Sequence, residues 1–151
     1  MKTGLFDSHA HYFDRRFAEV GGPDGILERD VFGDGVAYVI NVGTRNETNI
    51  LAVEQAKKYG GMYAAVGIHP EDVRDRAAEL YDELDCLDAL LGDKETRKEK
   101  KIVALGEIGL DYHYEGFDKA LQFECFDAQM AIAKNKKLPV IIHDREAHGD
   151  C

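Results

Sequence analysis

Short apolar runs rich in β-branched residues recur along this chain, beginning near Gly4, Ala37, Met62, Ile102 and Leu138. Each has the length of a strand, and segments of helical periodicity separate them. Thr44-x-x-Glu47 resembles a capping box opening a helix that carries Ile50, Leu51 and Val53 and stops at Gly60-Gly61. Leu80, Leu84, Leu87 and Leu91 share one helical face, which Gly92 ends. Phe123, Phe126, Met130 and Ala133 form another stripe before Asn135, and a weaker helix spans Pro23 to about Phe32 behind Gly21-Gly22. Strand and helix in strict alternation predict an α/β chain with a parallel sheet and helical crossovers. No linker, low-complexity tract or repeat beyond the βα rhythm interrupts it, so residues 1–151 read as a single domain.

Each apolar run ends in a polar cluster. These are Asp7-Ser8-His9-Ala10-His11, Asn41-Val42-Gly43-Thr44, Gly67-Ile68-His69-Pro70, Gly106-Glu107-Ile108-Gly109-Leu110-Asp111 and His143-Asp144-Arg145-Glu146. In parallel barrels and doubly wound sheets, ligand and catalytic groups gather at the carboxyl ends of strands, so these clusters would share one rim. A doubly wound sheet would usually carry a Gly-rich phosphate loop after its first strand; Asp-Ser-His-Ala-His stands there instead, which favours the barrel.

His9 and His11 are one residue apart at the end of a strand, where alternation sends both to the same side to bite one cation. Glu107 continues the alternation Val103, Leu105, Glu107 and should point into the barrel mouth, and His143 follows Ile141 in the same way. A buried carboxylate without a cation nearby is costly, so a metal is its natural partner. The alternatives are a rim carboxylate paired with a lysine and a hydrogen-bonded core histidine. Four such residues at the ends of three strands favour the metal.

Composition narrows the setting. With 151 residues, 44% of them hydrophobic, the chain is long enough for one sizeable core. Cys86, Cys125 and Cys151 are odd in number and widely spaced, as reduced thiols are, and Cys125 lies beside a helix stripe as a core residue would. Met1-Lys2-Thr3 lead into Gly4-Leu5-Phe6 without the apolar core of a secretion signal, and no run has the length of a membrane span. These features predict a soluble cytoplasmic protein without membrane association. The net charge of -10 argues against broad attraction to nucleic acid, although bound divalent cations would reverse the field locally. The basic runs Arg97 to Lys101 and Lys134 to Lys137 read as solvated helix ends.

Taken together, Leu5-Phe6-Asp7-Ser8-His9-Ala10-His11, Gly67-Ile68-His69-Pro70, Gly106-Glu107-Ile108-Gly109-Leu110-Asp111-Tyr112 and Val140-Ile141-Ile142-His143-Asp144-Arg145-Glu146-Ala147 resemble the successive signatures of TatD-family metal-dependent hydrolases. These are TIM barrels of the wider amidohydrolase group, described as deoxyribonucleases. The resemblance implies two divalent cations: one held by His9, His11 and Glu107, and a second to which Glu107 bridges and which His143 partly holds. It implies hydrolysis of nucleic-acid phosphodiesters, with Glu107 as the catalytic carboxylate. Such cations acidify a water, clamp a phosphate oxygen and offset developing charge. Imidazole and carboxylate ligands suit Zn, Mn, Ni or Mg alike.

Around that centre, His69 and Arg145 are candidate substrate-binding residues, His69 as a donor to phosphate and Arg145 as a bidentate fork. Their structural alternatives are a helix cap and a pair with Asp144 or Glu146. Asp111 either orients a ligand or begins a turn, and Tyr112 either stacks on a base or packs. His113 and His148 match no ligand position.

The resemblance also exposes a deficit. A complete barrel usually needs about 250 residues, and this chain reads as a TIM barrel truncated after about five parallel strands. Family members add a histidine from the sixth strand and an aspartate from the eighth, neither of which exists here. Two further readings follow. An amidohydrolase acting on amides or lactones shares the H-x-H but often carries a carboxylated lysine where this chain has Glu107. An inactive, partly folded chain would oligomerise through its open barrel edges.

Overall fold

The apolar runs form strands β1 (Leu5–Ala10), β2 (Val36–Val42), β3 (Met62–Val66), β4 (Ile102–Asp111) and β5 (Val140–Arg145). All are parallel and hydrogen-bonded in that order, so each crossover carries the chain to the adjacent strand in one direction, as in the wall of a barrel. The computed structural model describes residues 4–73 and 77–151; Met1-Lys2-Thr3 lie outside the described residues.

The crossovers contain α1 (Gly22–Ile26), which runs into a wider helical turn at Leu27–Val31, then α2 (Asn46–Lys58), α3 (Pro70–Val73), α4 (Leu80–Leu91), α5 (Lys94–Glu99) and α6 (Lys119–Lys136). The predicted Thr44–Glu47 capping box is replaced by a neighbouring one. Helix α2 begins at Asn46, so Thr48 occupies the reciprocal position: its Oγ1 accepts the N–H groups of Thr44 and Arg45 at 2.9 and 3.0 Å. Glu47 instead faces the Arg45 guanidinium at 3.5 Å. The leucine face of α4 is buried as predicted, and Gly92 caps the helix with a positive φ of 52°. The basic runs turn inward to helix ends: Lys101 Nζ meets the carbonyls of Ala56, Tyr59 and Gly60 after α2, and Arg97 and Lys136 meet Gly92 O after α4.

Helices pack on the convex face of the sheet, where Leu27, Val39, Val66, Leu87, Leu91, Leu105 and Ile108 form the fully buried core. The concave face is lined by small residues, Val42, Ala65 and Ala104, joined by Ile40 and Ile141. Toward the strand starts it opens, leaving Phe6 58% and Tyr38 44% exposed.

Two predicted patterns differ. Val103, Leu105 and Glu107 do not share a face: Val103 lines the concave side with Tyr38 and Tyr63, whereas Leu105 is in the convex core. The β4–β5 ladder slips between Leu105 and Ile108, three residues on β4 facing two on β5. With Leu105 and Ile108 both on the convex side, the slip lets Glu107 turn to the concave rim. In α6 the buried stripe is Gln122, Cys125, Gln129 and Ala133, and the predicted stripe residue Met130 is 39% exposed. The glutamines face inward because each carboxamide bonds the N–H and carbonyl of one residue at or just past a strand end, Asp111 and Ile68, and Gln129 also donates to Cys125 Sγ. Among the described residues no helix is long and apolar enough to cross a membrane.

Candidate metal centre

Glu107 stands at the centre of the rim and touches both sides of it. Its Oε2 lies 3.2 Å from His9 Nε2 and 3.9 Å from His11 Nε2, while its Oε1 lies 3.1 Å from His143 Nδ1. Burial raises the energy of the Glu107 carboxylate, but the hydrogen bonds from His143 and His9 outweigh it and hold the carboxyl well below its ordinary range. The group is therefore an anion, available to a cation on either side.

On the β1 side, His11 Nδ1 is 2.6 Å from the carbonyl oxygen of Val42, which only accepts, so the proton sits on Nδ1 and Nε2 keeps its lone pair. His9 Nε2 lies 3.2 Å from His11 Nε2. The hydrogen these atoms share with Glu107 is the one on His9, whose bond to Glu107 raises its pKa against the effect of burial. Displacing that proton leaves two imidazole lone pairs and a carboxylate oxygen converging. Two of the three separations, both 3.2 Å, match ligands held roughly 2.1 Å from a common ion, which stand about 3 to 3.5 Å apart; the third, His11 to Glu107, is wider at 3.9 Å. The donor set fits a divalent cation.

The β5 side is enclosed differently. His143 Nε2 is 2.8 Å from Asp111 Oδ2, so its ring is held between two carboxylates, and its pKa is raised by the Glu107 bond against burial, with Asp111 adding to it. Asp111, whose side chain is almost wholly buried, also accepts the N–H of His113 at 2.9 Å. Burial would lift its carboxyl, but those hydrogen bonds keep it low. The ligand-orienting reading of Asp111 thus has a geometric basis: a carboxylate fixes which histidine nitrogen faces the site.

His69 joins this group, with a ring nitrogen within 4.8 Å of donor atoms of Glu107 and His143 and its ring edge-on to His143 at 4.2 Å between centroids. Burial, reinforced by the neighbouring His143, lowers its pKa to about 4, so it is neutral at pH 7. Its Nδ1 accepts the N–H of Glu71 at 3.1 Å, which places the single proton of the neutral ring on Nε2. His69 therefore caps α3 and is a donor at the same time; the two sequence readings of it are compatible.

Other candidates lie elsewhere. Arg145 sits over the Tyr114 ring at 5.0 Å, donates to Tyr114 Oη at 3.2 Å and faces Glu71 at 4.0 Å, not Asp144 or Glu146. Tyr112 packs, stacked on Phe117 with Lys119 over its ring. His113 pairs with Glu146 and His148 with Asp144. Cys125 is buried, which pushes its thiol up to about 12. The buried amides Gln122 and Gln129 went unnoticed in the sequence, where their only signal is their spacing of seven on one helix.

The family described as TatD related DNase matches residues 6–151. An uncharacterized metal-dependent hydrolase of Bacillus subtilis, YabD, is 37% identical over 150 residues, covering 97% of this chain and 52% of the relative. The Cronobacter sakazakii protein named 3'-5' ssDNA/RNA exonuclease TatD is 35% identical over 116 residues, covering 76% and 40%. The crystal structure of the Escherichia coli TatD homologue YjjV superposes with a TM-score of 0.82 at 30% identity, covering 99% of this chain and 54% of that one. The chain spans about half the length of the relatives it matches. Over that span the family match, the sequence identity and the shared fold agree, and the chain belongs to the TatD family of metal-dependent hydrolases.

Proposed function

We propose that this chain carries the cation-binding part of a two-metal phosphodiesterase acting on DNA or other nucleic acid. The observation that supports the reading best is the position of Glu107, whose two oxygens face two separate donor groups, His9 with His11 and His143 with His69. In this reading His9, His11 and Glu107 hold one divalent ion, and Glu107 and His143 hold part of the shell of a second. Bound there, Mg, Mn or Zn would supply Lewis acidity and positive charge for hydrolysis of a phosphoester.

The chain's own residues do the rest. Glu107 remains ionised and holds the two positions at a fixed separation. Asp111 keeps His143 in one tautomer, so that the same nitrogen always faces the centre. Neutral His69 offers an N–H to a phosphate oxygen without adding charge beside the cations, and Arg145 offers its fork to a neighbouring phosphate from its place over Tyr114. With a net charge of -10 the chain has little general pull on a polyanion, so binding depends on the cations and falls when they are removed. The name of the Cronobacter relative supports single-stranded nucleic acid as substrate.

The test is cleavage of end-labelled single-stranded DNA by the chain loaded with Mg2+ or Mn2+, beside Glu107→Ala. Cleavage by the parent that chelation and Glu107→Ala both abolish is the expected result. DNA left intact while a lactone is turned over, with the same dependence on Glu107, would move the reading to the amidohydrolase alternative. Turnover of neither substrate would make this chain inactive.

A further inference from the structure

Helix α6 presents two buried glutamines to the sheet, Gln122 at 3% exposure and Gln129 at 0%. They stand seven residues apart, about two helical turns, and so on one face. Each makes the same pair of bonds to a single strand-end residue. Gln122 Oε1 accepts the N–H of Asp111 at 2.8 Å, and its Nε2 donates to the carbonyl of the same residue at 2.8 Å. Gln129 Oε1 accepts the N–H of Ile68 at 2.7 Å, and its Nε2 donates to Ile68 O at 3.0 Å. A carboxamide used this way replaces the bonding of a neighbouring strand at the point where the ladder stops.

The two clamped residues are not arbitrary. Asp111 is the residue whose carboxylate contacts His143, and Ile68 is bonded directly to His69. Along β3 a second amide helps: Asn49 grips the N–H and carbonyl of Gly67 at 3.1 and 3.0 Å, so that strand end is held twice. Asp111 has a single such clamp on its helix side, its other side being the ladder to β5.

We propose that Gln122 and Gln129 are positioning residues of the metal centre, Gln122 fixing the ring of His143 through Asp111 and Gln129 fixing that of His69 through Ile68. For its functional meaning the proposal rests on the reading of His143 as a cation ligand. A purely structural role would make the two residues interchangeable in effect, each lowering stability and neither acting on one ring alone. Positioning makes them separable, and unequal, because Asn49 backs up Gln129, whereas among the described residues no second side-chain amide grips the Asp111 backbone beside Gln122.

The experiment compares the metal-free chain with Gln122→Met and Gln129→Met by nitrogen-15 spectra of the histidine rings, followed by titration with Zn2+. In Gln122→Met the His143 Nε2 proton should exchange faster and its signal shift, with His69 unchanged; Zn2+ affinity at the β5 side should fall by about tenfold. In Gln129→Met the His69 signal alone should shift, by less, with Zn2+ affinity within about twofold of the parent. Parent-like ring signals in both variants, or both rings disturbed in each, would overturn the proposal. If either methionine variant fails to fold, Gln122→Glu and Gln129→Glu, which keep acceptor oxygens of the same reach, are read by the same two criteria. A parent that binds no Zn2+ would sink the metal-centre reading alone, since the ring signals judge the clamps without any metal.

Discussion

The two sides of Glu107 are built on different terms. On the β1 side, His9 and His11 stand near the open edge of the sheet; His11 Nδ1 bonds the Val42 carbonyl, and His9 bonds Glu107 itself. On the β5 side, His143 is held by two carboxylates, Asp111 is buried behind it, and the strand ends beneath are clamped by amides from α6. The difference teaches where order comes from. The β5 side is preorganised by the protein, whereas the β1 side brings three donor atoms into range and, in the proposed reading, would rely on a cation to define them.

Removing what the two sides share is expected to have the largest effect. Glu107→Gln keeps the size of the side chain but removes the anion from both groups, and affinity for divalent ions measured by calorimetry should fall more than about a hundredfold, beyond the loss typical of an outer partner. Affinity retained at either group would mean that Glu107 does not serve it. The next effect is one-sided. Asp111→Asn should free the tautomer of His143 and weaken Zn2+ binding by about tenfold at the β5 side, leaving His9 and His11 signals at their parent positions. An equal disturbance of both histidine pairs would erase the distinction drawn between the two sides.

His69 sharpens the comparison through pH. Its folded pKa of about 4 lies below the ordinary 6.5, so the unfolded chain binds the extra proton between those values. Stability contributed this way is complete above pH 6.5 and is lost as pH falls toward 4. Between pH 7 and pH 5 the loss should be on the order of 2 kcal/mol. Urea denaturation at the two pH values, on the parent and on His69→Gln, checks it: the variant should lose less on acidification, and an equal loss would refute the assignment. The smallest effect is expected at the open edge. Phe6 is 58% exposed, so Phe6→Ser should change stability by about 0.5 kcal/mol or less, where truncating a buried counterpart such as Leu105→Ala should cost about 2 to 5 kcal/mol.

Much of this arrangement is legible in the sequence because strands and rim are local signals. The polar clusters that end each apolar run fall at one rim, and the alternation that pairs Ile141 with His143 holds. The route to Glu107 does not follow from alternation, because the ladder slips between Leu105 and Ile108, and a slip depends on the partner strand. The buried face of α6 is misread for a similar reason. A glutamine looks outward in a hydrophobicity pattern, and only the end of a facing strand gives Gln122 and Gln129 the two bonds that make burial acceptable. His69 shows the opposite case: both readings of it, cap and donor, are satisfied by the two nitrogens of one ring.

The central claim is that one carboxylate joins two cation positions. Titration of the chain with Mn2+, followed by electron paramagnetic resonance, tests it most directly, since two ions sharing a bridging group couple magnetically. The expected result is a coupled two-ion signal in the parent that disappears in Glu107→Gln. Isolated, uncoupled Mn2+ in the parent, or a coupled signal that survives in Glu107→Gln, would contradict it.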